Sequence, residues 1–125
     1  MSQVNEILQK FDEFETSIKT HLRKVDPVLI VDFLIRQKNE KNSNKNPIYT
    51  LEVFIKPNQN TDEIRNRIIR ETGMVPAFYD GGTHIVVAHK INFDMLKMIN
   101  DIEFVERIRG TYAGGGLASI VPVYD

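Results

Sequence analysis

Cysteine is absent from this 125-residue chain, which removes disulfides, thiolate catalysis and cysteine-ligated zinc or iron–sulfur centres. Excess charge is absent too. With 16 Lys and Arg against 17 Asp and Glu, the chain lacks the basic field on which non-specific nucleic-acid binding depends, so nucleic acid is not an expected partner. No apolar run approaches the roughly 20 residues that span a bilayer. The opening MSQVNEILQKFDEFE is amphipathic and acidic, without the basic start and apolar run of a secretory signal. No membrane contact is expected, and a cytoplasmic protein is. What is present has ordinary composition, 42% hydrophobic and 26% charged, in a chain long enough to bury one core without staples.

The periodicities divide the chain. Val4, Ile7, Leu8, Phe11, Phe14, Ile18 and Leu22 recur at helical spacing, predicting an amphipathic helix that packs on the domain or on a second copy. Pro27 is expected to end any helix, and VLIVDFLIRQ, Val28 to Gln37, to form a strand with Asp32 facing solvent from an edge. KNEKNSNKN, Lys38 to Asn46, reads as a polar loop. IYTLEVFIKP then alternates, with Leu51, Val53 and Ile55 on one face and Thr50, Glu52 and Phe54 on the other. Asn60 or Thr61 caps a helix carrying Ile64 and Ile68, which Gly73 stops. VPAFYD and THIVVAHK flank a DGG turn, a hairpin signal because glycine tolerates positive φ. Asn92 caps a short helix with Phe93, Leu96 and Ile99 as its stripe, and Val105 to Arg109 is the last strand.

The predicted fold class is therefore α+β: a ferredoxin-like βαββαβ antiparallel sheet with an N-terminal amphipathic helix and an additional strand. The expected organisation is residues 1–46 as helix, extra strand and polar loop, 47–110 as the ferredoxin-like core, and 111–125 as a Gly-rich C-terminal tail. The N-terminal helix is expected to cover the sheet face bearing Thr50 and Phe54.

Catalytic chemistry is hard to find. His21, His84 and His89 are the only histidines, and His84 and His89, five apart in a strand, point to opposite faces, which is wrong for a shared metal or proton. The carboxylates match no acid–base motif. GTYAGGG lacks the strand-loop-helix setting and the Lys-Ser/Thr of a phosphate loop. Tyr49, Phe54, Phe78 and Tyr79 resemble base-stacking residues in type, yet HIVVAH is aliphatic where an RNA-recognition sheet carries its glycine-aromatic motif. The loop KPNQNT lacks the glycine of small-ligand regulatory domains with this topology. No enzyme activity, metal or cofactor is expected.

From Ile48 to Gly110 the residues resemble the propeptide of subtilisin-like serine proteases and the free inhibitors similar to it. The match is carried by IYTLEVFIKP, the capped helix that ends near glycine, and THIVVAHKINFDMLKMINDIEFVERI. The resemblance implies a non-catalytic inhibitor or chaperone whose sheet packs on a subtilisin-like serine protease and whose tail lies extended in the substrate cleft. Gly110, Thr111, Tyr112, Ala113, Gly114, Gly115, Gly116 and Leu117 would then contact the partner, with Leu117 near the primary specificity pocket. This chain departs from the family in placing Arg107, Arg109 and Gly110 where acidic residues are usual, in continuing through ASIVPVYD, and in its extension before Ile48. With no protease domain following, action in cis is not expected. The alternative is a ferredoxin-like oligomerisation or small-ligand-sensing module whose residues Ala118 to Tyr124 add an edge strand. Self-association into a dimer is expected on either reading.

Overall fold

The computed structural model describes residues 3–39 and 47–114. Four helices and four strands follow in the order α1 (Gln3–His21), α2 (Pro27–Asn39), β1 (Ile48–Ile55), α3 (Thr61–Thr72), β2 (Ala77–Tyr79), β3 (His84–Lys90), α4 (Phe93–Asn100) and β4 (Val105–Gly114). The fold is α+β, with one antiparallel sheet in the order β2-β3-β1-β4, compatible with a ferredoxin-like arrangement.

Local chemistry explains most boundaries. Asn60 Oδ1 accepts from the backbone N–H groups of Asp62 and Glu63, and Gly73 ends α3 at φ 79°, the left-handed conformation that glycine adopts at no steric cost. Asn92 Oδ1 accepts from Met95 N at 2.9 Å to start α4. β2 and β3 are joined by a one-turn 3-10 segment, Asp80–Gly82, in which all three residues have positive φ.

The segment expected as an additional strand, Val28 to Gln37, is instead the body of α2. Its β-branched residues satisfy a strand pattern, but Leu29, Ile30 and Phe33 are the buried positions, a helical spacing set by what they pack against. Pro27 does not end a helix; it begins one. It occupies the first helical turn, where a missing N–H costs nothing, and Asp26 Oδ1 accepts from Val28 N at 3.0 Å. Asp32 does not face solvent from a strand edge: its Oδ2 accepts from the Tyr49 hydroxyl at 2.6 Å and from Arg36 Nε at 3.1 Å. Lys38 and Asn39 belong to α2 and not to a loop; residues 40–46 lie outside the described residues.

One core runs from Ile18 to Ile108 and unites both parts of the chain. β1 buries Tyr49, Leu51, Val53 and Ile55, strictly every second residue. Against this face lie Ile64 and Ile68 of α3, Leu96 and Ile99 of α4, and Phe33 of α2, whose ring packs on Tyr49 at 6.0 Å and on Phe93 at 5.0 Å between centroids. Lys24 to Asp26 run along the outer edge of β4: Ile108 N donates to Lys24 O and Asp26 N donates to Ile108 O, each at 2.8 Å. Asn100 of α4 closes the joint, accepting from Lys24 N at 2.9 Å and donating to His21 O at 3.4 Å.

These contacts overturn the expected cover for the second sheet face. The C-terminal end of α1 is tied to α4, on the side of Tyr49, and α1 does not lie over Thr50 and Phe54.

Candidate functional site

Among the described residues, the sheet face turned away from the core has no helix over it, and it carries a cluster of polar and aromatic side chains. Register fixes its members: in the β1–β4 pair Phe54 stands opposite Arg107, Glu52 opposite Arg109 and Thr50 opposite Thr111, and in the β1–β3 pair Phe54 stands opposite His84. Alternation sends all of these side chains to one side. The Phe54 and His84 rings stack with centroids 4.8 Å apart and planes 2° from parallel. The guanidinium carbons of Arg107 and Arg109 lie 4.7 and 5.2 Å from the Phe54 ring centre, within cation–π range. Tyr79 borders the stack at 6.1 Å from His84.

Glu52 joins Arg109 and His84. Its Oε1 accepts from Arg109 Nη2 at 3.1 Å and lies 3.0 Å from His84 Nε2, while His84 Nδ1 is 3.4 Å from Asp80 Oδ2. The Arg109 hydrogen bond, with His84 adding to it, holds the Glu52 carboxyl below the usual carboxylate range. Glu52 thus stays ionised and holds Arg109 and His84 beside the Phe54 ring, leaving Arg107 without an acidic neighbour among the contacts of this cluster.

A concavity of about 340 Å³ extends the cationic surface past β4, lined by Arg23, Lys24, Asp26, Arg107 and Arg109 with Val25 and Pro27. Of the four cations there, Arg109 is paired with Glu52 and the Lys24 ammonium donates to Ile102 O at 2.8 Å, and Asp26 is the one carboxylate of the lining. The Lys24 ammonium is pushed below the usual lysine value mainly by burial, with Arg23 and Lys56 adding to it and Asp101 and Glu103 opposing it. A locally basic strip exists on a chain of net charge −1. Such a strip can bind anionic surfaces by charge and aromatic contact; it does not present a nucleophile beside a base.

Of the residues expected from sequence to contact a partner, Thr111 joins this face opposite Thr50, and none brings a charged group to it. Gly110, Thr111, Tyr112, Ala113 and Gly114 continue β4, with Tyr112 opposite Tyr49, Gly110 opposite Leu51 and Gly114 opposite Ile48. Gly115, Gly116 and Leu117, like Ala118 to Tyr124, lie outside the described residues. At Gly110 a Cβ would meet the Thr50 carbonyl oxygen and Leu51 Cδ2, each at 2.8 Å, so this glycine serves close approach of β4 to β1. Tyr112 packs on Tyr49 at 5.6 Å and lies beneath Arg36 at 3.5 Å.

His89 shares no site with His84: its Nδ1 lies 2.7 Å from Lys90 O. Among the described residues no group of three or more His, Asp or Glu is placed to hold a metal ion, and no helix is long and apolar enough to cross a membrane. Sequence reasoning singled out Phe54, His84, Arg107 and Arg109 separately but missed Arg23 and Lys24; the alternation of Arg107 and Arg109 was the available signal, whereas Arg23 and Lys24 join them only through pairing at Ile108. Compared with family models, curated proteins and solved structures, the chain gives no match.

Proposed function

We propose that this chain is a non-catalytic protein-binding module that receives an acidic protein surface on the open face of its sheet. The observation that carries this reading is the Phe54 platform, with Arg107 and Arg109 over it and Arg23 and Lys24 beside it, on a face that α3 and α4 leave uncovered. Guanidinium groups already stacked on an aromatic ring lose little further freedom on binding, which favours contact with carboxylates. The ferredoxin-like split βαβ arrangement belongs to this reading: α3 links β1 to β2, α4 links β3 to β4, and β1 lies between β3 and β4. So does a cytoplasmic setting.

The test is a titration of isotope-labelled protein with an oligo-glutamate peptide and with single-stranded RNA, followed by NMR. The expected result is perturbation of the Phe54, His84, Arg107 and Arg109 signals by the peptide, weakened roughly tenfold in the Arg107→Ala, Arg109→Ala double variant and suppressed by salt. No perturbation by the peptide, or tighter binding of RNA, overturns the reading.

A second reading is a propeptide-like inhibitor or chaperone of a subtilisin-like serine protease. What favours it is an open sheet face opposite two helices, the face that the resemblance implies for protease contact. What weighs against a cleft-bound tail beginning at Gly110 is the pairing of Gly110 to Gly114 with β1. An inhibition assay against a panel of such proteases separates the two: inhibition lost in Leu117→Asp supports the tail, and no inhibition by the intact chain or by a version ending at Leu117 removes it.

A further inference from the structure

The N-terminal half of α1 and the outer face of α2 expose an apolar surface that the binding face described above does not use. Val4, Ile7, Leu8 and Phe11 of α1 and Val28, Val31 and Ile35 of α2 are between 38% and 73% exposed. The two helices enclose a groove of about 440 Å³, lined by Phe11, Phe14, Ile18, Val28, Val31 and Ile35. The spacing along α1 is particular. Val4, Ile7, Phe11, Phe14 and Ile18 alternate by three and four residues, the seam of a helix that packs along a second helix. Among the described residues, cover is given only to the C-terminal part of that seam, Ile18 with Phe14 partly buried.

We propose that the groove is filled by α1 of a second copy of this chain, in an antiparallel, two-fold pairing centred on Phe11. That register lays Val4 of one chain near Ile18 of the other and Leu8 near Phe14, so each exposed half-seam enters the partner's groove. The arrangement is self-complementary, as a two-fold interface requires. Area supports it: the seven exposed side chains leave on the order of 600 Å² of apolar surface per chain, and a symmetric pair burying most of it reaches about 1,200 Å² in total, the size of a specific dimer. Glu6, Asp12, Glu13 and Glu15 flank the seam, which disfavours an anionic bilayer as the occupant.

Sedimentation equilibrium of the full chain tests this. At about 100 µM the wild-type chain is expected at twice its 14.4 kDa mass, with association weakened at least roughly tenfold in Phe11→Asp and in Val31→Asp. Val75→Asp, at a more exposed valine between α3 and β2, is expected to leave it unchanged, and circular dichroism verifies that each variant is folded. The cysteine-free chain also allows a direct check of direction: Val4→Cys mixed with Ser17→Cys is expected to form a mixed disulfide on oxidation. A monomeric wild type, including one whose groove is covered by its own residues 115–125, overturns the proposal. So does a dimer indifferent to Phe11→Asp and Val31→Asp, or one in which Val4→Cys links only to itself.

Discussion

Tyr49 is wholly buried in the sheet, and its hydroxyl donates 2.6 Å to Asp32 on α2. Burial, and then the Asp32 hydrogen bond, push the phenol well above its ordinary value of 10.0. The folded state therefore favours the neutral phenol. Its contribution to stability is complete below pH 10 and is lost as pH rises from there, because the unfolded chain ionises first. Asp32→Ala leaves a buried hydroxyl without its acceptor and is expected to cost about 1–3 kcal/mol, whereas Tyr49→Phe costs about 1 kcal/mol and removes part of the alkaline loss; urea unfolding at pH 7 and pH 11 measures both. Glu52 has the opposite sign. Held below its ordinary value of 4.5 mainly by Arg109, it supports the folded cluster above that pH and loses this as pH falls through the depressed value. An NMR titration in Arg109→Ala is expected to move the Glu52 carboxyl upward. Gly110→Ala forces a Cβ against the Thr50 carbonyl oxygen and is expected to destabilise by roughly 1–3 kcal/mol.

At the scale of elements, β4 differs most from a simple reading of its residues. GTYAGGG has the composition of a free tail, and Gly costs more conformational entropy to order than other residues. Its pairing with β1 is nonetheless maintained to Gly114, helped by Tyr112 between Tyr49 and Arg36. Hydrogen exchange of Thr111 to Ala113 is expected to be slowed together with β1 and in step with global stability; exchange at the rate of an unstructured peptide would refute the paired strand. For α2 the decisive local residues are Asp26 and Pro27, a cap followed by the one position where proline favours a helix. The competing strand reading rested on Val28, Ile30 and Val31, which fit either element.

At the scale of the molecule, Asn100 is the one buried polar side chain among the described core residues. It ties α4 to the connection between α1 and α2 through Lys24 N and His21 O. Asn100→Ala strips Lys24 N of its acceptor, while His21 O keeps the Lys97 ammonium at 3.2 Å, and is expected to cost about 1–2 kcal/mol. The loss should concentrate in faster hydrogen exchange of α2 and the Lys24 to Asp26 edge, with β1 and β3 following only global unfolding.

Sequence by itself determined the elements whose signals are local: the α1 stripe, the alternation of β1, the Asn60 and Asn92 caps, the Gly73 stop and the turn at Asp80–Gly82. Each depends on residues a few positions apart, and such interactions survive in any fold. Parts of the candidate site were legible as types, since Phe54, His84, Arg107 and Arg109 stand out in the chain. Their assembly was not, because strand register alone brings Phe54 against His84 and both arginines, and the pairing of Lys24 to Asp26 alone adds Arg23 and Lys24. The helical state of Pro27–Asn39 and the strand state of Gly110 to Gly114 were likewise decided by tertiary contact. In the first, burial of Leu29, Ile30 and Phe33 selects between two periodicities that an apolar run satisfies equally. In the second, β1 supplies hydrogen-bond partners across more than fifty residues of chain, a distance over which no local propensity acts.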